Sequence, residues 1–377
     1  MVAVSEKTHR ILTINPGSTS TKASIYEDDV EVWDANVVHS TEELAAIETI
    51  REQGPYRRDA VLAAMKEAGY EPTGFDAVVG VGGVGLAGVE YGTYSVNGAM
   101  LKDASVGRYG THPNNLGVII SAELAEACGA PAYAAGMASS EEFEDVAHVG
   151  GFVDTPRRCM VHMLNTKEVA IRHAASLGAD YSELNLVIAH VGGGITVAAH
   201  RAGKVIDATD GIAQDGPMSP NRPGTVALIP FVDLCFADGA TKDSIKKRVM
   251  AHGGLLDHLG TVDVPEIKKM IDAGDEYAKL VYDALLYQVA KHVGMFAAVL
   301  KGKVDYVILT GGLMKDDYGV KYITEMVDWI APVAVYPGEL EQEALAAAAL
   351  RVLRGKEELL TYTGTPVWSG FDHLSRA

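Results

Sequence analysis

The stretch LNLVIAHVGGGITVAAHRAGKVIDATD, residues 184–210, is the part of the sequence that most directly predicts the fold. Its apolar runs at 184–190 and 195–200 flank three consecutive glycines, and a third run follows at 204–210. Short apolar runs bounded by glycine are typical of buried strands. The stretch therefore predicts a strand, a tight glycine turn and two further strands.

A stretch near the start of the chain repeats this order. Strand-like runs at 11–15 and 22–27 flank a polar turn that contains Gly17, and a third run follows at 30–38. The separation between the two stretches is nearly half the length of the chain. This spacing raises the possibility that one half of the chain duplicates the other.

The two stretches also align residue by residue. When Asn15 is placed over His190, Asn-Pro-Gly-Ser-Thr-Ser lies over His-Val-Gly-Gly-Gly-Ile, and Ala23 lies over Ala198. Two unrelated β-meanders can show such a likeness by chance. The alignment favours the alternative, a duplicated domain with one turn from each half facing a cleft.

The rest of the chain alternates between strand-like and helical patterns. Over 276–301, apolar residues recur every three or four positions, as in an amphipathic helix. We therefore expect an α/β fold. The remaining segments are helical patterns at 41–69, 114–128, 164–177 and 341–355, and strands that run into glycines at 75–83 and 304–312.

Three turns are candidate sites for an anion, namely Asn15–Ser20, Gly192–Gly194 and Thr310–Gly312. Converging backbone amides bind phosphate, and glycine lets the backbone approach it without a Cβ atom. The sequence contains neither a P-loop nor a GxGxxG motif between a strand and a helix, which excludes those two nucleotide-binding folds.

Composition limits the function classes further. The 377 residues predict two domains or three, and the net charge of −18 disfavours nucleic acid and anionic membranes as partners. Cys128, Cys159 and Cys235 lie far apart without a CxxC pair, which predicts reduced cysteines in a cytoplasmic protein. The first ten residues lack the apolar core of a signal peptide.

Several motifs together resemble the butyrate kinases, which belong to the acetate kinase group of the sugar kinase, Hsp70 and actin superfamily. The resemblance extends from Ile11 to Arg354. It is carried by INPGSTSTKASIY (14–26), GTYSVNGAML (92–101), THPNNLG (111–117), HMLNTKEVA (162–170), HVGGGITVAAHRAGKVID (190–207), DGPMSPNRPGT (215–225), VILTGGL (307–313) and YPGELEQEAL (336–345).

The resemblance implies two duplicated ribonuclease H-like α/β domains around a nucleotide cleft, the actin-like ATPase fold. It also implies reversible transfer of the γ-phosphoryl group from ATP to a short-chain carboxylate, with Mg²⁺, and a homodimer or a larger assembly of dimers. We expect a first domain of residues 1–157 with 344–377, because the alanine-rich helix near the C-terminus needs a partner. Residues 158–343 would form the nucleotide-binding domain.

The resemblance assigns site residues as well. Catalytic roles fall on His112, His162 and Arg222, and Asn15 and Glu341 would hold magnesium. The nucleotide and its phosphates would contact Asn15, Ser18, His190, Gly192, Gly193, Gly194, Gly311 and Gly312.

Each assignment has a structural alternative. A histidine at position 190 can simply pack at a strand end, and one at position 162 can cap a helix or lie in the core. Arg222 can lie in a solvated loop. The acidic run at 339–343 begins a helix, where carboxylates interact favourably with the helix dipole without any catalytic role.

Two positions depart from the butyrate kinase pattern. Val81 stands where the family has an arginine that would face the carboxylate or the phosphoryl group, and Gly136 stands where it has an aspartate of the metal network. Losing one charge-stabilising donor commonly costs ~10²–10³ in rate. Three interpretations stay open: a working carboxylate kinase in which Arg108, Arg157 or Arg158 replaces the lost charge, a kinase for another acceptor, or a catalytically impaired nucleotide-binding homologue.

Overall fold

The computed structural model describes residues 7–47, 49 and 51–371, and its strands form two sheets. None of the described helices is long and apolar enough to cross a membrane. The strands are β1 Arg10–Pro16, β2 Ser20–Glu27, β3 Val30–Val38, β4 Ala77–Val81, β5 Thr93–Ser95, β6 Ala132–Ala135, β7 Leu186–Val191, β8 Ile195–Arg201, β9 Lys204–Ala208, β10 Tyr306–Gly311, β11 Val333–Pro337 and β12 Leu359–Thr361. The α-helices are α1 Thr41–Ala45, α2 Gln53–Glu67, α3 Gly98–Val106, α4 Leu116–Cys128, α5 Asp145–His148, α6 Met163–Ser176, α7 Leu228–Cys235, α8 Lys242–Ala251, α9 Gly254–Leu259, α10 Val264–Asp272, α11 Glu276–Val299, α12 Asp317–Val327 and α13 Glu341–Leu353. Short 3₁₀ turns occur at Pro113–Asn115, Tyr181–Glu183 and Gly312–Lys315.

The described chain divides into two compact units. The first contains the residues up to Glu141 and those from Leu340 onward, and the second is Glu142–Glu339. Each unit contains one of the two sheets.

The boundaries between the two units differ from the expected domain boundaries at both positions where the chain passes from one unit to the other. The segment 142–157 belongs to the second unit because its own ion pairs tie it there: Arg157 donates to Asp207 at 2.8 Å and to Asp215 at 2.7 Å. Residues 340–343, which include the first turn of α13, belong to the first unit together with the remainder of that helix.

The sheet of the first unit has the order β12-β5-β6-β4-β1-β2-β3. Strands β1, β4 and β6 are parallel neighbours, whereas β1, β2 and β3 form an antiparallel meander. Alternate residues of β1, Leu12 and Ile14, join a core with residues of α2 and α4, and α13 packs on β1 and β4. The helical pattern over 41–69 forms two helices, α1 and α2, rather than one.

The sheet of the second unit has the order β11-β10-β7-β8-β9. Strand β10 is parallel to β7 and β11, and β7, β8 and β9 form the second antiparallel meander. The long helix expected over 276–301 is α11, whose Leu285, Val289 and Val293 are fully buried in the core. Leu280 has the same spacing but is 63% exposed.

Both meanders of the sequence repeat close their turns on the equivalent glycine. Gly17 N–H donates to Ser20 O at 2.8 Å, and Gly192 N–H donates to Gly194 O at 3.0 Å. The second turn is the shorter of the two.

The shorter turn shifts the register of the repeat by one residue. Ala23 pairs with Ile14 in the first unit, and Val197 pairs with Ala189 in the second. Val197, not Ala198, is therefore the structural counterpart of Ala23, and the alignment of Ala23 with Ala198 is wrong beyond the turn.

Candidate functional site

Three polar side chains converge on the glycine turn that joins β7 to β8. His162 precedes α6, His190 is the next-to-last residue of β7, and Arg222 lies in the loop that follows β9. A Cβ atom at Gly194 would lie 2.9 Å from Arg222 Nη1 and 3.0 Å from His162 Cε1, and one at Gly192 would lie 3.0 Å from His190 Nε2. A side chain at either position would have to displace these groups, so glycine lets them approach the backbone closely.

The middle glycine of the turn is different. A Cβ atom at Gly193 would have no neighbouring atom within 4 Å. The Gly192 N–H already donates to Gly194 O inside the turn. The backbone amides of this turn that we expect to bind phosphate are therefore those of Gly193 and Gly194.

The two histidines form a stacked pair. Their ring centroids lie 4.2 Å apart and the rings are inclined by 14°. Burial lowers the pKa of His190 to about 4. The pKa of His162 is well below its usual value, first because of burial and then because of the nearby His190 and Arg222. Both imidazoles are therefore neutral at neutral pH.

Sequence reasoning did not single out the partners of these histidines. His162 Nδ1 lies 2.8 Å from Thr196 Oγ1, and Asn165 Nδ2 lies 2.8 Å from His190 Nδ1. His162 occupies the N-cap position of α6 without a side-chain capping bond. Thr196 and Asn165 both lie in the motifs that carry the family resemblance, which is the signal that could have identified them.

The loop that carries Arg222 contains three buried polar atoms without a hydrogen-bond partner among the described residues: Ser219 Oγ, Asn221 Oδ1 and Arg222 Nε. Burial also lowers the pKa of Arg222. A solvated loop arginine would not have a buried Nε, so this alternative does not fit. Unpartnered polar atoms gathered on one loop are typical of a surface that binds a ligand.

The third glycine turn follows β10. Gly311 has a φ of +100°, and a Cβ atom there would lie 2.4 Å from Val191 O, so only glycine fits. Gly312, in contrast, has open space around it and lines a cavity of about 400 Å³ together with residues such as Leu313 and Lys268. The resemblance implies that Gly311 and Gly312 contact the adenosine of the nucleotide, so this cavity is the candidate site for it.

In the first unit, three predicted positions lie at one edge of the sheet. Asn15 is near the carboxyl end of β1, Val81 ends β4, and Gly136 follows β6, and these three strands are parallel neighbours. Ligands of α/β sheets commonly bind at the carboxyl ends of parallel strands. The Asn15 amide donates a hydrogen bond to Glu341 Oε2 at the start of α13, so the two expected magnesium residues are in contact.

Ser18 lies in the turn between β1 and β2, and a buried arginine holds this turn. Arg57 of α2 has no exposed surface and donates to the carbonyl oxygens of Gly17, Ser18 and Ser20, each at 2.9 Å. In a trans peptide the N–H points opposite to the C=O. The N–H groups of Ser18 and Thr19 therefore point away from Arg57. No local sequence pattern identifies Arg57.

The side chain of His112 has a structural role in the first unit. Its Nδ1 accepts a hydrogen bond from Asn114 N–H at 3.2 Å and so caps the 3₁₀ turn that precedes α4. Asn115, in the same turn, accepts from Gly85 N–H and donates to Gly110 O, both at 2.9 Å. His112 is thus held on a fixed turn.

Comparison with known proteins identifies the family. The acetokinase family, by its sequence model, matches residues 155–328. A probable butyrate kinase of Clostridium botulinum (strain Eklund 17B / Type B) is 41% identical over 354 residues, which are 94% of this chain and 99% of that protein. Butyrate kinase 2 of Clostridium acetobutylicum is 42% identical over 353 residues, with the same shares of both chains. The chain belongs to the butyrate kinase family.

Solved structures of related kinases share the fold. The acetate kinase of Porphyromonas gingivalis superposes with a TM-score of 0.72 at 18% identity, over 92% of this chain and 100% of that one. A propionate kinase of Francisella tularensis gives 0.71 at 17% identity, over 90% and 98%. The expected fold class, duplicated ribonuclease H-like α/β domains of the actin-like ATPase type, is confirmed.

The contact between Asn15 and Glu341 fits a magnesium ion better than a transition metal. It offers one carboxylate and one amide oxygen, and Mg²⁺ is usually held by one or two carboxylates together with substrate phosphates. Among the described residues there is no group of three or more His, Cys, Asp or Glu side chains that could hold a metal. A closed transition-metal centre is therefore not formed by the described part of this butyrate kinase family member.

Both departures from the family pattern have a clear local setting. Val81 is 8% exposed and packs against α4, where a Cβ atom at Gly117 would lie 2.8 Å from Val81 Cγ1. Gly136 has a φ of +64°, a conformation that strains most other residues. Valine thus fills packing space in this butyrate kinase family member, beside the strand that carries Asn15.

Proposed function

We propose that this chain transfers the γ-phosphoryl group of ATP to a short-chain carboxylic acid similar to butyrate, and that it forms an acyl phosphate and ADP reversibly. The observation that carries the proposal is the convergence of Arg222, His162 and His190 on the turn Gly192–Gly194. Membership of the butyrate kinase family supports the same reaction.

The geometry suits the charge changes of this reaction. A carboxylate oxygen attacks the γ-phosphorus, the bond between that phosphorus and the β–γ bridging oxygen breaks, and ADP leaves with the electron pair. Charge is spread over the phosphoryl oxygens in the transition state. The Arg222 guanidinium compensates that charge, while the neutral imidazoles and the Gly193 and Gly194 amides donate hydrogen bonds.

The remaining groups bind the nucleotide and the metal. The cavity beside Gly312 takes the adenosine, and Gly311 allows β10 to approach Val191. Asn15 and Glu341 would hold Mg²⁺, an ion that would supply positive charge to the phosphates of a bound nucleotide.

A hydroxamate-trapping assay with MgATP and unbranched acids of two to six carbons tests the proposal. We expect hydroxamate with butyrate, and a loss of at least ~100-fold in rate for Arg222→Gln, because a charge-stabilising donor is removed. ATP binding without hydroxamate from any of these acids would refute the carboxylate kinase function.

A second candidate, transfer to another acceptor, is favoured by the apolar Val81 at the strand edge. ADP formation without hydroxamate would support it. The arginines considered as replacements for the missing charge differ in their ion pairs. Arg157 binds Asp207 and Asp215. Arg108 and Arg158 are half exposed, and their carboxylate contacts among the described residues are longer, at 3.4 and 3.8 Å.

We further propose a homodimer formed through α7. No residue of this apolar helix is buried, and Ile229 and the following Phe236 are 75% and 85% exposed. Exposed apolar patches of this kind mark protein interfaces. Sedimentation of the wild type and Ile229→Glu tests this, and an unchanged dimer would refute it.

We place the protein in the cytoplasm, where cysteines that form no disulfide, such as the buried Cys128, stay reduced.

A further inference from the structure

Two polar side chains contact the stacked histidines at Nδ1, while the Nε2 atoms lie at the glycine turn. Asn165 contacts His190 and Thr196 contacts His162, each at 2.8 Å. All four side chains belong to the second unit. Which ring nitrogen of a neutral histidine carries the proton is set by the hydrogen bond that the other nitrogen makes.

The contacts of Asn165 determine the tautomer of His190. The Asn165 Nδ2 group donates to His190 Nδ1 and, at 3.2 Å, to Thr310 Oγ1. The Thr310 hydroxyl in turn donates to Gly338 O at 3.4 Å, so it accepts from Asn165. This direction fixes the amide with its NH₂ group toward His190, whose Nδ1 must then be the acceptor. The proton of His190 is left on Nε2.

Thr196 has the same effect on His162. The Thr196 side chain is fully buried, and its Oγ1 accepts from the His162 backbone N–H at 3.4 Å. Among the described residues, the other partner of the Thr196 hydroxyl is this N–H donor, so His162 Nδ1 is the partner that can accept the hydroxyl proton. The proton of His162 is therefore also on Nε2.

Both Nε2–H groups lie at the turn. His190 Nε2 is 3.0 Å from the position that a Cβ atom would occupy at Gly192, and His162 Nε2 is 3.2 Å from the equivalent position at Gly194. Arg222 and the carboxylate of Glu339 are the charged groups that face this pair. Two imidazolium rings stacked at 4.2 Å beside Arg222 would repel each other, whereas two neutral rings do not.

We propose that Asn165 and Thr196 are positioning residues that keep His190 and His162 in the neutral Nε2–H form, so that the stacked pair donates two uncharged hydrogen bonds to phosphoryl oxygens at the glycine turn. The inference deepens the proposed function and depends on it for the identity of the bound group. A neutral donor keeps its proton throughout the transfer, so the same pair serves both directions of the reaction. Among the described residues that face the histidine pair, Arg222 then supplies the positive charge.

Nitrogen NMR of the ¹⁵N-histidine-labelled full-length chain tests the tautomers without any substrate. We expect both rings to show a protonated Nε2 and an unprotonated Nδ1 at pH 7.5, with resonances assigned through His162→Gln and His190→Gln. Protonated Nδ1 atoms, imidazolium rings or averaged tautomers in the wild type would overturn the proposal.

Kinetics then test the role of the two positioning residues. Thr196→Val removes the hydroxyl at nearly constant shape, and we expect kcat to fall about 10-fold or more with little change in KM for ATP, since a preorganised donor is worth about 10²–10³-fold. Thr196→Ser should recover the tautomer and most of the lost rate. Asn165→Leu, a separate site, should lower kcat in the same way and disturb the His190 resonances only.

The outcomes separate this inference from the proposed function. Displaced tautomers with an unchanged kcat would show that the histidines do not donate to the reacting group, and the catalytic part would be wrong. Equal losses in Thr196→Ser and Thr196→Val would indicate packing instead of hydrogen bonding and would also refute it. A wild type without kinase activity would refute the proposed function, and the spectra would still decide the tautomers.

Discussion

Replacing Gly193 by valine separates folding from ligand binding at the turn between β7 and β8. The φ of Gly193 lies outside the left-handed region that favours glycine, and a Cβ atom there would meet no other atom within 4 Å. The Cβ atom of valine therefore displaces no atom of the described structure. We expect the free energy of unfolding to change by less than about 0.5 kcal/mol, as for other surface substitutions.

Nucleotide binding should respond very differently. A phosphate oxygen must come within about 2.9 Å of a backbone nitrogen to form a hydrogen bond, and the branched side chain would occupy the approach to the Gly193 and Gly194 amides. Each hydrogen bond to a charged group contributes about 1.5–3 kcal/mol. Losing one of them weakens binding by roughly 10- to 100-fold, since each 1.4 kcal/mol is about tenfold.

Isothermal titration calorimetry with Mg²⁺ and a non-hydrolysable ATP analogue measures the affinity, and urea unfolding measures the stability. Gly151→Val is the matched control, because Gly151 is an exposed loop glycine that also has open space around its Cβ position. Equal nucleotide affinity in Gly193→Val and wild type would refute the phosphate role of the turn. A similar loss of affinity in the control would refute its specificity.

Three further predictions concern stability and the departures from the family. Arg57→Lys should lower the free energy of unfolding by about 2–4 kcal/mol in urea, because partly buried carbonyls lose hydrogen bonds to a charged group at about 1.5–3 kcal/mol each. A loss as large in Arg58→Lys, at a partly exposed neighbour, would contradict this. Val81→Arg combined with Gly136→Asp should raise the rate of butyrate-dependent ATP consumption about 10-fold, which corresponds to ~1.4 kcal/mol of transition-state stabilisation. A double variant slower than wild type would show that Val81 and Gly136 are adaptations of a working site. Because burial lowers the pKa of His190 to about 4, the unfolded chain binds a proton that the folded chain does not as pH falls below about 6.5. As pH falls from 6.5 to 5.5, the free energy of unfolding should therefore decrease by about 1 kcal/mol more in wild type than in His190→Gln. Equal decreases in the two proteins, measured by urea unfolding, would contradict this.

Local patterns were enough to predict the elements that surround the site. The apolar runs on either side of Gly192–Gly194 formed β7 and β8, whose residues are buried on both faces. The helical spacing over 276–301 formed α11, which buries one face. The roles of particular side chains, in contrast, came from the family resemblance. No spacing in the sequence relates Asn15 to Glu341, which the fold of the first unit brings into contact.

What escaped prediction depends on tertiary contacts. Arg57 lies in an ordinary helical pattern, and only the packing of α2 shows that its guanidinium holds the turn at Ser18. The partners Asn165 and Thr196 are visible only once α6 and β8 are placed around the histidine pair. The one-residue shift after Gly194 likewise arises from turn length, which an alignment of strand patterns does not determine.

The two departures from the family pattern are best considered as a pair. If only one of the two positions had changed, the charged residue expected at the other position would have lost its opposite charge. An uncompensated charge in a shielded site is costly. Compared with the pattern that the resemblance implies, Val81 and Gly136 together remove one positive and one negative charge, so the expected net charge at these strand ends is unchanged. The charged and hydrogen-bonding groups at the glycine turn of the second unit, Arg222 and the histidine pair, do not depend on either position. The changes are therefore expected to alter how the acceptor and metal are held at the edge beside Asn15 while the phosphate-binding turn retains its donors, and for this reason charge should be restored at both positions in the same variant.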